Sequence, residues 1–94
     1  MSFFAVTYTY SDDVDARDRL RPEHRAHLAS LADSGELYAS GPCPDTTPAS
    51  ALLIFRVDSA ERVEELLDAD PFQKNGIVAQ RSIVEWDPVI GQIR

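Results

Sequence analysis

Residues 51–57 place the strongest constraint on the fold. They are apolar on both sides of an extended chain, with Leu52 and Ile54 on one face and Leu53, Phe55 and Val57 on the other. Side chains of a strand alternate between faces, so a strand of this kind lies inside a sheet and is covered twice. A chain of 94 residues has little material for that. At this length a fold buries only roughly 60–65% of the surface its unfolded chain exposes. A single domain over residues 1–94 is expected.

The flanking segments suggest how the sheet is built. Residues 2–10 read as a strand rich in Phe, Tyr, Val and Thr. Phe4, Val6, Tyr8 and Tyr10 form its more apolar face and should meet helices; Phe3, Ala5, Thr7 and Thr9 form a mixed face. Residues 11–20 are acidic and read as a solvated loop with at most a helical turn. An amphipathic helix is expected over 22–33, where Leu28, Leu31 and Ala32 recur at helical spacing, with Gly35 in the left-handed position after its last turn. A short strand over 36–41 is closed by Gly41-Pro42. The proline-rich stretch 43–50 reads as a loop and a candidate mouth for a site.

Beyond the two-faced strand, Asp58 and Glu61 resemble a capping box, and Val63, Leu66 and Leu67 give the second helix its stripe. Asp70 precedes Pro71, which biases it out of the helical region and suits it to cap a short turn ending at Gly76. Residues 77–86 read as the last strand, with Val78, Val84 and Trp86 on one face, and 87–94 as a tail able to reach a partner.

The order is βαββαβ. It predicts a ferredoxin-like α+β fold, a four-stranded antiparallel sheet with two main helices on one face. Two helices leave the other face of the two-faced strand uncovered. A homodimer, open sheet face against open sheet face, is the simplest cover.

Charge and cysteine usage restrict the partners. The formal net charge of -7 argues against nucleic acid, whose phosphates need a basic patch, and against an anionic membrane surface. It leaves room for a small anion held by one or two local arginines. Cys43 is the single cysteine, so no intrachain disulfide or thiolate zinc site is expected, which fits a reducing cytoplasm. Residues 1–10 carry no basic side chain and no long apolar run, and so read as neither a signal peptide nor a membrane span.

Both histidines lie in Arg21-Pro22-Glu23-His24-Arg25-Ala26-His27. With Pro22 at the first helical position, His24 would sit in the first turn, where the positive helix end favours neutral imidazole. His24 shares the apolar stripe with Leu28. His27 lies at i, i+3 from it, but no further ligand pattern supports a metal, and it reads as a surface or partner-facing residue.

Five landmarks then line up: Val6-Thr7-Tyr8, Arg21-Pro22-Glu23-His24, Ala39-Ser40-Gly41-Pro42, Asp68-Ala69-Asp70-Pro71-Phe72 and Val84-Glu85-Trp86. In this order and spacing the chain resembles the YCII-related (YciI-like) family over nearly its whole length. The resemblance implies a dimeric α+β barrel of ferredoxin-like subunits, related to muconolactone isomerase. It also implies an active site in which a histidine and an aspartate meet; by position these are His24 and Asp70. One branch of the family removes chloride from a chlorinated hydroxy-aromatic. Here Ser40-Gly41-Pro42 stands in place of the more usual Gly-Gly-Pro, so substrate specificity does not carry over.

The expected function is that of a cofactor-independent, metal-free enzyme of the lyase or isomerase type. It would use His24 as proton shuttle and Asp70 as its orienter, performing elimination or isomerisation on a small hydroxylated cyclic or aromatic compound. Tyr8, Arg21, Ser40, Gly41, Pro42 and Phe72 are the expected substrate contacts, Phe72 by stacking and Arg21 by clamping an anionic group. Cys43 is read as a packing residue. The alternative is a non-catalytic module that binds a small ligand or dimerises, in which His24 and Asp70 are a sealed polar core pair.

Overall fold

The computed structural model of the chain describes residues 1–91 and residue 93. The elements run β1 (Ser2–Tyr10), α1 (Val14–Ser34), β2 (Leu37–Cys43), β3 (Ser50–Val57), α2 (Ala60–Asp68), α3 (Pro71–Lys74) and β4 (Val78–Trp86). The strands form one sheet in the order β2-β3-β1-β4, and every neighbouring pair is antiparallel. This is the expected ferredoxin-like α+β arrangement, with α3 as a short addition to the two main helices. The two-faced strand β3 is interior. Among the described residues no helix is long and apolar enough to cross a membrane.

The core lies between the helices and one sheet face. Phe4, Val6, Tyr8 and Tyr10 of β1 and Leu53, Phe55 and Val57 of β3 pack there with Leu31, Val63, Leu66, Leu67 and Phe72. On the other face Leu52 and Val84 remain 44% and 56% exposed. There Phe3 meets Tyr38 edge to face at 5.5 Å and Trp86 at 6.4 Å.

Four expectations need correction. First, α1 starts at Val14 and Pro22 lies inside it. The acidic stretch is the helix start: Asp13 caps it by accepting from the Ala16 N–H, and Asp15 suits the positive end of the first turn. Second, Ser59 rather than Asp58 caps α2, accepting from the Arg62 N–H. Third, β2 runs on through Gly41-Pro42 to Cys43. Fourth, Val78 does not share a face with Val84 and Trp86. The β1–β4 register slips between Thr9 and Tyr10. A single extra residue reverses every later side chain, so Val78 turns into the core. Of the 87–94 tail, Gln92 and Arg94 lie outside the described residues.

Candidate active site

Asp70 is completely buried. Its place follows from the break between α2 and α3. Pro71 disfavours helical backbone at the residue before it, and Asp70 is extended at φ -69°, ψ 128°. From there its carboxylate turns back over α3 and Oδ1 accepts from the Phe72 N–H at 2.9 Å. Tyr8, at the centre of β1, donates its hydroxyl to Oδ2 at 3.1 Å. The His24 ring reaches down from α1 and places Nδ1 2.8 Å from Oδ1 and 2.9 Å from Oδ2. Forty-six positions of sequence are closed by packing α1 against α3.

A buried carboxylate is tolerated only when its lone pairs are used. Asp70 meets that condition with one backbone N–H, one phenol and one imidazole. Tyr8 is held far above the ordinary phenol range, first by burial and then by the charge of Asp70 and the hydrogen bond to it, so it stays a donor. Since a carboxylate only accepts, Nδ1 carries a proton, and in the neutral imidazole the lone pair is then on Nε2. Phe72 fixes the ring plane, stacked on the imidazole at 3.9 Å between centroids and 2° between planes.

Nε2 has no partner among the described residues, and none of their buried side-chain nitrogens or oxygens goes unpartnered. Nε2 is therefore open. His24 lines a cavity of about 510 Å³ between α1, the end of β2 and the start of β3. The dyad is thus buried on its aspartate side and accessible on its histidine side.

The residues predicted from the sequence fall into three groups. Arg21, Ser40, Gly41, Pro42 and Phe72 line the cavity with His24. Asp70 and Tyr8 do not line it; they sit behind the imidazole. The expectation that Tyr8 contacts substrate is corrected here, because its hydroxyl is engaged by Asp70 and the side chain is buried. Phe72 reaches the cavity, but the imidazole stacks on its ring, so its stacking partner is His24. The helix-end argument for His24 also falls. The residue sits near the middle of α1, and its neutral tautomer is set by Asp70 instead.

His27 is half-buried at the surface and bonded within the chain. Its Nε2 donates to the Leu66 carbonyl at 3.0 Å and ties α1 to α2. Among the described residues no three His, Cys, Asp or Glu side chains converge as a metal site.

Sequence reasoning missed Arg17, Arg25 and Tyr10, which also line the cavity. Arg17, Arg21 and Arg25 recur every four residues, a spacing that marks one side of a helix. The signal was present, but it needs a helix that begins before Pro22.

Comparison with known proteins agrees with this architecture. Residues 1–87 match the family model of the YCII-related domain. The chain is 31% identical over 87 residues to Protein YciI of Escherichia coli, covering 84% of this chain and 89% of that protein. It is 30% identical over 84 residues to the derivative of benzaldehyde biosynthesis cluster protein C of Emericella nidulans, covering 80% and 86%. Among solved structures, 5-chloro-2-hydroxyhydroquinone dehydrochlorinase (TftG) from Burkholderia phenoliruptrix, in complex with 2,5-dihydroxybenzoquinone, superposes with a TM-score of 0.79 at 20% identity, over 90% of this chain and 93% of that one. An antibiotic biosynthesis monooxygenase superposes at 0.59 with 15% identity, over 96% and 100%. At these identities the structural likeness speaks to the fold.

Proposed function

The chain belongs to the YCII-related family, and from that premise we propose that it is a cofactor-independent acid–base enzyme acting on a small hydroxylated cyclic or aromatic compound. One observation carries the reading: His24 has one ring nitrogen tied to a buried carboxylate and the other unpartnered, and the residue lines a cavity large enough for a single ring. A sealed polar pair would have favoured a purely structural role.

In this mechanism His24 Nε2 takes a proton from a substrate hydroxyl or from a carbon beside a carbonyl. The electron pair left behind moves into the ring. In an elimination from an aromatic ring, the carbon that bears the leaving group takes up a proton, and loss of a second hydroxyl proton then expels an anion such as chloride; the net loss is one proton and one anion, and no redox partner is needed. In an isomerisation the same nitrogen returns the proton to another atom. Asp70 is a positioning residue, holding the imidazole in the required tautomer and stabilising the imidazolium that forms. Tyr8 and the Phe72 N–H keep Asp70 in place. The Ser40 hydroxyl and the groups of Gly41 and Pro42 bound the substrate on the opposite wall.

A second copy covers the open sheet face through Phe3, Tyr38, Leu52, Val84 and Trp86, and the single cysteine suits a reducing cytoplasm. The dehydrochlorinase of similar fold suggests the first substrate to try, 5-chloro-2-hydroxyhydroquinone, within a panel of chlorinated hydroquinones and catechols and unsaturated lactones. Chloride release or isomerisation should be abolished in His24→Ala while circular dichroism is unchanged. A folded His24→Ala protein with full activity would sink the proposal, and turnover of nothing in the panel would favour the binding module.

A further inference from the structure

The cavity has the opposite charge from the protein around it. The chain carries nine Lys and Arg against sixteen Asp and Glu. Three of those nine, Arg17, Arg21 and Arg25, line this one cavity, and none of the sixteen acids does. The three stand on successive turns of α1, where like charges repel, and the chain's own neutralisation of them is incomplete. Arg21 pairs with Asp18 at 2.8 Å through one terminal nitrogen, which leaves its other N–H donors. The Arg17 guanidinium lies 5.2 Å from the centre of the Tyr10 ring. Arg25 has no ion-pair partner among the described residues. His24 stands among them, one residue before Arg25 and three after Arg21.

The far wall is different in kind. Leu53, Pro42 and Ala51 offer apolar surface there, and Ser40 a hydroxyl. A ring would rest on that wall with a charged group turned toward α1. A guanidinium fork matches a planar oxyanion and binds it by paired hydrogen bonds.

We propose that the cavity selects an organic anion, a small cyclic compound bearing a carboxylate or an ionised enol or phenol, with Arg21 and Arg25 as the specificity-determining pair and Arg17 adding to the field. The inference rests on the catalytic reading and narrows its substrate class. The anionic group docks on the arginine stripe and so presents the neighbouring hydroxyl or carbon to His24 Nε2. In a chain of net negative charge, this local field also steers the anion to its site.

The test is a binding titration on the full chain, read by calorimetry and by amide shifts of Arg25, His24 and Ser40. Benzoate is compared with methyl benzoate, and 2,4-dinitrophenolate with 2,4-dinitroanisole. At least one anion should bind about tenfold more tightly than its neutral match. Its affinity should fall about tenfold or more in the Arg21→Gln/Arg25→Gln double variant and as salt rises from about 20 to about 300 mM. Arg19→Gln, which does not line the cavity, should leave affinity unchanged. Binding of benzoate alone assigns a carboxylate, and of dinitrophenolate alone an ionised phenol or enol. Equal binding of the neutral compounds, failure of both anions to bind, or an unaltered affinity in a folded double variant overturns the inference. Anion binding retained in His24→Asn, in a protein that turns nothing over, would separate failure of the catalytic reading from failure of this one.

Discussion

Replacing Asp70 by asparagine changes the shape of the site hardly at all and puts an N–H donor where one carboxylate oxygen accepted. Wild-type Asp70 accepts from the Phe72 N–H, the Tyr8 hydroxyl and His24 Nδ1. An asparagine can still accept from Phe72 through its amide oxygen, but its NH2 replaces Oδ2, the atom that accepts from Tyr8 and lies 2.9 Å from His24 Nδ1. Tyr8 adapts by rotating its hydroxyl to accept. His24 Nδ1 then faces both the amide oxygen, at the Oδ1 site 2.8 Å away, and an N–H, at the Oδ2 site 2.9 Å away; where the N–H is the partner, Nδ1 accepts, the ring proton moves to Nε2 and the proposed base becomes a donor. Hydrogen bonds to a charged acceptor stabilise by about 1.5–3 kcal/mol and neutral ones by about 0.5–1.5 kcal/mol. Part of the difference is recovered because a buried charge is removed. The expected loss is about 2 kcal/mol, or roughly 8–16 °C in melting temperature for a domain of this size.

Asp70→Ala should do worse. It loses the α3 cap, about 1 kcal/mol, and leaves the Tyr8 hydroxyl and a His24 nitrogen buried without partners, for about 3–5 kcal/mol in all. Nitrogen-15 spectra of the imidazole read the tautomer without any substrate, and urea unfolding reads stability. Where a turnover assay exists, Asp70→Asn should slow it by about 10³–10⁴, the scale of holding a catalytic histidine in the wrong tautomer. An Asp70→Asn protein whose imidazole proton has moved to Nε2 and which still turns over at the wild-type rate would refute the assignment of Asp70 as the orienter.

Three further outcomes are expected. Burial raises both Tyr8 and Tyr10, with Asp70 adding to the effect. Above about pH 10 the unfolded chain loses phenol protons that the folded chain keeps, so stability falls with rising pH, by up to about 1.4 kcal/mol per pH unit for each tyrosine. Urea midpoints at pH 9 and 11 should diverge less in Tyr8→Phe. Phe72→Leu removes the ring that stacks on His24 and should cost about 1–2 kcal/mol; chloride release or isomerisation should drop with it, and unchanged activity would argue against a role for the stacking. Asp at both Leu52 and Val84 places charge on the exposed sheet face and should convert a dimer to a monomer by light scattering with little change in secondary structure; an unshifted mass would put the interface elsewhere.

The fold was legible in the sequence because its strongest signals are local. Alternation in β1 and double-sided hydrophobicity in β3 are properties of consecutive residues, and they led directly to a sheet with an open face. The Asp-Pro break was equally readable, since proline acts on its own neighbour. Local rules misled at two points. Pro22 reads as a helix start, yet once Asp13 has capped the helix and Ala16, Leu20, Leu28 and Leu31 pack along one side, the helix continues through it. Val78 reads as a partner of Val84, and one slipped register against β1 turns it inward. Both follow from packing against distant residues, which no window of sequence contains.

The site divides along the same line. Sequence alone determined that a histidine on an apolar helix stripe and an aspartate pinned before a proline would exist, and the family resemblance paired them. Only the tertiary structure decided what the pair can do. By laying α1 over α3, the fold brings Tyr8 and the Phe72 N–H to the same carboxylate and leaves one imidazole nitrogen open. By extending α1 past Pro22, it aligns three arginines along the cavity that His24 lines. A side chain's chemistry depends on what surrounds it within a few ångströms, and in this chain those surroundings come from residues up to 62 positions apart.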